Sequence, residues 1–266
     1  MSQPEKNAVK GGLVAKLPNV QAVVFDAVGT VMYPFPSVAE TYRRAIRQHC
    51  ATEIDPDKVV RVVSEALTQR SRDTDLRTSE SVEREFWADL VRRLCPSSSS
   101  APEPDGFQAC FDDLFDHFQR PANWRCFDDT AGLIHELHRR GLKTAIASNF
   151  DQRLNSVCDG LHELKGGDHR IISSVVGWRK PARQFFDAVS QQLDVSPDHI
   201  IFVGDDLTND VAGAIAVGMQ AAWICRSGNV TQPQGSAKKI ASLQELITDS
   251  ASDTTSGSGQ RSASVS

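Results

Sequence analysis

Apolar residues follow two rhythms along this chain, and the switch between them divides it. Val20-Gln21-Ala22-Val23-Val24-Phe25 is a short apolar run that stops at Asp26 and Gly29, as a buried strand would. From about 37 to 120 the spacing becomes helical. Ser37-Val38-Ala39-Glu40 is a capping-box pattern, and Asp55-Pro56 sets a cap residue before proline at the first helical position. Phe86, Trp87, Leu90, Val91 and Leu94 form one helical stripe; Phe107, Cys110, Phe111, Leu114, Phe115 and Phe118 form another. These aromatics read as the core of a small bundle, interrupted by a Ser- and Pro-rich loop over 96–105.

Beyond about 125 the chain alternates. Helices are predicted near 130–140 (ending at Gly141), 151–161, 182–193 and 209–217. Between them, Thr144–Ala147, Ile171–Val176, Ile200–Val203 and Ala221–Ile224 read as strands. Such alternation predicts an α/β fold, a doubly wound parallel sheet covered on both faces. The all-helical block then becomes an insertion after the first strand. The expected organisation is a core over 18–36 and 121–246, with a helical domain over 37–120. The ends, 1–17 and 247–266, lack enough apolar residues to offset the entropy of ordering.

A net charge of -5 without a Lys/Arg stripe argues against nucleic acid and membrane surfaces as partners. No apolar stretch approaches the roughly 20 residues of a membrane span, and Met1 to Pro18 lacks a secretory apolar block. A cytoplasmic protein is expected. Its six cysteines include no C-x-x-C pair and read as small buried apolar residues in a reducing setting. His135 and His138 share a helix face without a third ligand nearby, so zinc is not expected. Arg43, Arg44 and Arg47 read as a solvated helix face, with contact to an anionic substrate as the alternative.

In parallel sheets, ligands bind beyond the carboxyl ends of the strands. Asp26, Ser148-Asn149 and Gly204-Asp205 end three of the predicted strands, and Gly177-Trp178-Arg179-Lys180-Pro181 follows a fourth. Singly, each has an ordinary reading as a turn, a helix cap or a surface charge. Together, Asp26, Asp205 and Asp210 plus a backbone carbonyl make a hard-oxygen donor set for Mg²⁺. A hydroxyl and a lysine would hold phosphoryl oxygens, and an Asp nucleophile would form an aspartyl-phosphate.

Asp26-Ala27-Val28-Gly29-Thr30, Ala147-Ser148-Asn149, Gly177-Trp178-Arg179-Lys180-Pro181 and Gly204-Asp205-Asp206-Leu207-Thr208-Asn209-Asp210 resemble, in order, the four motifs of the haloacid dehalogenase-like (HAD) hydrolase superfamily. The run from Ser148 to Leu154 with Gly177-Trp178 further resembles its subgroup called haloacid dehalogenase-like hydrolase domain-containing protein three. The resemblance implies a Rossmann-like core, a C1-type helical cap and Mg²⁺. It implies Asp26 as nucleophile and metal ligand, and Ser148 with Asn149 as phosphoryl-binding residues. Lys180 would orient nucleophile and substrate, while Asp205 and Asp210 complete the metal site. The substrate would be a small phosphorylated metabolite.

One position departs from the pattern. Phosphatases of this family carry a second Asp two residues after the nucleophile, where this chain has Val28. Its backbone carbonyl can still face a metal, but its side chain cannot move a proton. General acid–base catalysis contributes about 10²–10⁴-fold, so about 3–5 kcal/mol of barrier lowering is missing. Three readings stay open: a phosphatase-type hydrolase weakened at this step, a HAD-fold enzyme of other chemistry, or a binding or regulatory protein that keeps the site. Phosphonatase chemistry would need a cap lysine, and only Lys58 is available in the block. Dehalogenases carry Tyr at the Val28 position.

Overall fold

The computed structural model describes residues 11–95, 106–226, 228 and 235–249. β1 (Ala22–Phe25) lies inside a six-stranded sheet with β4 (Lys143–Ser148), β5 (His169–Ile172), β6 (Ile200–Gly204), β7 (Gln220–Ile224) and β8 (Lys238–Ile240). Its order is β5-β4-β1-β6-β7-β8, with every pairing parallel. The continuous apolar run of β1 follows from burial on both faces. Val23 and Phe25 enter one core, and Ala22 and Val24 enter the other. The first core is covered by α1 (Leu13–Lys16), α6 (Leu133–Arg139) and α7 (Arg153–Gly160); the second by α9 (Arg183–Leu193) and α10 (Gly213–Ala216).

Between β1 and β4 the chain leaves the sheet through β2 (Met32–Pro34). It forms α2 (Val38–Cys50), α3 (Pro56–Ser71), α4 (Glu80–Leu94) and α5 (Phe107–His117), and returns through β3 (Trp124–Cys126). The four helices share a separate core that includes Tyr42, Ile46, Leu90 and Phe111. β2 and β3 pair antiparallel, tying the outgoing and returning chains together beside the sheet. Asp55 caps α3 ahead of Pro56 as expected. At α2 only half of the capping box forms: Ser37 accepts from the Glu40 amide, but the Glu40 carboxylate pairs with Arg43.

Several expectations are corrected. The expected tail over 1–17 contains α1, whose Val14 is buried in the first core; its residues 1–10 lie outside the described residues. Ile247, assigned to the other tail, is also buried, and Asp249 pairs with Lys16; residues 250–266 lie outside the described residues. The expected 96–105 loop lies outside them too. The strand expected over 171–176 ends at Ile172, and α8 (Ser173–Val176) follows. There the Ser173 hydroxyl donates to the Phe150 carbonyl, and Gly177 closes the turn at a φ of 86°. The next residues pair with the helical block: Thr78 N–H donates to Gly177 O, and Arg179 N–H to Leu76 O. The helix expected over 209–217 is a wide π-turn over 207–212 followed by the short α10.

The cysteines are less scattered than their sequence positions suggest. Cys50, Cys95 and Cys110 bring their sulfurs within 4.8 Å of one another. His138, by contrast, is used structurally, bonded to Thr144 and Asp168. No helix among the described residues is long and apolar enough to cross a membrane.

Candidate active site

Asp26 follows β1, Ser148 ends β4, and Gly204-Asp205 leaves β6, so three adjacent strands deliver these groups to one rim. The Asp26 amide still belongs to the sheet, donating to Val203 O at 2.8 Å. Lys180 and the π-turn complete a cleft of about 280 Å³. Carboxylate oxygens of Asp26, Asp205 and Asp210 lie within 4.8 Å of one another.

Lys180 is 2% exposed, and its ammonium sits between two acids. Nζ donates to Asp26 Oδ1 at 2.6 Å, to Asp210 Oδ1 at 2.7 Å and to Ala147 O at 3.1 Å. Burial opposes the charge, yet Asp210 and Asp26 hold this ammonium above its ordinary pKa. Ser148 Oγ donates to the same Asp26 Oδ1 at 2.9 Å. Asp26 Oδ2 accepts no hydrogen bond among the described residues.

The remaining acids are in tension. Burial, with Asp26 and Asp205 as neighbours, pushes Asp210 up to about 7 against the pull of Lys180. Asp205 opens to solvent, but the surrounding cleft displaces much of its water. That loss and the Asp26 charge push it up to about 6. Three carboxyl groups crowd a single ammonium, and burial alone disfavours charge on Asp205 and Asp210. This donor set fits a divalent cation with oxygen ligands.

The other sequence-predicted residues take different places. Asn149 spends both ends of its amide on the Lys180 backbone, accepting from its N–H at 2.8 Å and donating to its carbonyl at 3.1 Å. It therefore positions Lys180 as well as lining the cleft. Val28 stands at the cleft wall, 36% exposed. Arg43 and Arg47 pair with Glu53, Arg44 with His117, and Lys58 is exposed; none of the four lines the cleft.

The cleft holds further residues beyond the predicted site set. Asp206 caps the π-turn by accepting from the Thr208 and Asn209 amides at 2.8 Å each. That is the turn role the Asp205-Asp206 pair suggests in sequence. Thr30 Oγ1 reaches Asp205 Oδ1 at 3.4 Å. From the helical block, the half-buried Arg70 pairs with the buried Glu83 facing the cleft, alongside Trp87. In sequence they look like ordinary helix-surface charges.

The haloacid dehalogenase-like hydrolase profile matches residues 20–218, about three quarters of the chain. The chain belongs to this hydrolase family. Its similarity extends to the mouse haloacid dehalogenase-like hydrolase domain-containing protein 3, 30% identical over 169 residues. That alignment covers 64% of this chain and 65% of the mouse protein, slightly under two thirds of the relative's length. Among solved structures, the HAD phosphatase from Thermococcus onnurineus aligns with a TM-score of 0.60 over 85% of this chain and 96% of its own, at 22% identity. YfnB from Bacillus subtilis, a HAD hydrolase solved bound to magnesium, aligns at 0.65 over 86% and 97%, at 18% identity. At those identities the likeness establishes the fold: a Rossmann-like α/β HAD core.

Proposed function

We propose that this HAD hydrolase is a Mg²⁺-dependent phosphatase-type enzyme that acts on a small phosphorylated metabolite through an aspartyl-phosphate on Asp26. The observation that carries the reading is the convergence of Asp26, Asp205 and Asp210 around the buried Lys180. The helical block would serve as the cap that selects substrate and excludes water.

Asp26 Oδ1 is fixed by Ser148 and Lys180, which leaves Oδ2 to attack phosphorus. Ser148 and Lys180 then offer their donors to the phosphoryl oxygens. Asp26, Asp205, Asp210 and the Val28 carbonyl would hold Mg²⁺, which supplies charge neutralisation for an anionic substrate meeting a carboxylate. Gly29 matters to this arrangement because of its close approach to Asp205. Its φ is +89°, and a Cβ there would lie 2.4 Å from Asp205 Oδ2. Gly29→Ala is expected to weaken Mg²⁺ binding by about tenfold or more, since Asp205 must move and a left-handed non-Gly residue costs about 1–2 kcal/mol. Titration calorimetry checks this. Gly132→Ala, at a φ of +70° with open space around it, should leave Mg²⁺ affinity unchanged.

The proposed activity is tested with acetyl phosphate, whose leaving group needs no proton. Turnover should require Mg²⁺ and vanish in Asp26→Asn. Equal turnover by wild type and Asp26→Asn would overturn the reading. One observation favours a second reading: with Val28 in the acid position, the chain would be a weak or inactive HAD-fold binding or regulatory protein. Mg²⁺ binding without turnover of any activated phosphate would select it.

A further inference from the structure

A second cavity, of about 220 Å³, adjoins the acidic cleft at the junction of the helical block and the sheet. Val28, Leu67, Trp87 and Asn149 line both spaces, so the two share a wall. Beyond that shared wall the lining is almost wholly apolar, with Phe115 and Trp124 among its aromatic walls. The one guanidinium at its edge, on Arg153, is already engaged. It is paired with Asp151 at 2.7 Å and lies 3.7 Å over the Phe115 ring. Among the described residues, the cavity therefore offers no free charge to a polar or anionic group. A chamber of about 150 Å³ accommodates benzene, so this one has room for one or two fused rings.

We infer that this cavity receives the leaving group of the substrate, and that the leaving group is an aromatic alcohol of one or two rings. The inference rests on the phosphatase reading of the neighbouring carboxylates and deepens it. Val28 links the two features. The residue that stands in place of the general acid also forms part of the wall of the apolar cavity. An aryl ester tolerates the loss. Phenols ionise near pKa 10, whereas alkyl alcohols are about as weak as water at about 15.7.

The chemistry balances without an acid at position 28. Asp26 Oδ2 forms a bond to phosphorus as the P–O(aryl) bond breaks, and the electron pair departs on the phenolate oxygen. The phenolate oxygen is left in the cleft beside the phosphoryl group, where water protonates it, and the neutral phenol leaves the cavity. Water then attacks phosphorus, the Asp26–phosphorus bond breaks, the carboxylate is restored, and the water's proton passes to solvent with phosphate.

The test uses the intact protein with Mg²⁺ and three substrates: acetyl phosphate, phenyl phosphate and 2-naphthyl phosphate. Acetyl phosphate reads the carboxylate site without the cavity. Each additional buried carbon is worth about fourfold in binding, so KM for naphthyl phosphate should fall at least about tenfold below that for phenyl phosphate. Val63→Trp, which grows into the cavity from α3, should erase that difference in a protein whose circular dichroism is unchanged. If acetyl phosphate is turned over while phenyl and naphthyl phosphates share one KM, the aromatic-subsite inference is overturned and the phosphatase reading stands. Should Val63→Trp fail to fold, the wild-type comparison alone decides. If acetyl phosphate is not turned over, the phosphatase reading fails, and 2-naphthol binding decides the cavity. Quenching of tryptophan emission that saturates below about millimolar naphthol would support an aromatic site, and its absence would refute one.

Discussion

Val28→Asp is expected to raise kcat/KM for alkyl phosphate monoesters by about 10²–10⁴-fold, the usual contribution of a positioned proton donor. The reason is local. Val28 already stands at the cleft wall, two residues beyond Asp26 and on the same rim as Lys180. An acid there could protonate the departing alkoxide and then take a proton from the attacking water. Esters whose leaving groups depart as stable anions should gain much less. Steady-state kinetics on an alkyl and a nitroaryl phosphate separates the two. A uniform gain across both substrates would mean that Val28 limits binding or packing rather than proton transfer.

Lys180→Met should strongly destabilise the fold of the metal-free protein. Removing one member of a buried charge cluster typically destabilises by about 3–5 kcal/mol. For a chain of this size that is a fall in Tm of roughly 6–20 °C. The sign of its pH dependence follows from the raised carboxyls. Asp205 and Asp210 titrate near 6 and near 7 in the folded protein, above the ordinary carboxylate value of 3.8. Folding therefore binds protons between about 4 and 7, and stability falls as pH rises through that window. Without Lys180 the carboxyls rise further. The loss in Tm should be larger at pH 8 than at pH 5, and Asp210→Asn in the same chain should recover part of it. Thermal melts at the two pH values check this, and an equal loss at both would refute the electrostatic cause.

Much of this architecture was legible because its signals are local. Strand segments buried on both faces are largely apolar, so most of β1, β4, β6 and β7 reads as short apolar runs. The chemistry stood out because Asp26, Ser148 and Asp205 interrupt or end those runs. The misses share a different cause. Ile171–Val176 is as β-branched as a strand, but Gly177 and pairing with 76–78 of the helical block decide where it turns. β2 and β3 are three residues each and lie about ninety positions apart, so neither carries a period of its own. Cys50, Cys95 and Cys110 meet only because α2, α4 and α5 pack together. By helical spacing Trp87, Phe115 and Phe118 read as bundle core. They do pack against that core, yet they also line the cavity beside Val28. Helical spacing identifies an apolar face; it does not say whether a side chain or a ligand fills the space opposite.

The central claim, that Asp26 is a phosphoryl acceptor in a Mg²⁺ site, is tested most directly by trapping. Wild type and Asp26→Asn would be mixed with Mg²⁺ and acetyl phosphate, quenched in acid, and digested for mass spectrometry. The account predicts a phosphoryl group on the peptide carrying Asp26 in the wild type, absent without Mg²⁺ and absent in Asp26→Asn. Mg²⁺-dependent turnover with the phosphoryl group on another residue, or a folded protein showing neither adduct nor turnover, would contradict it.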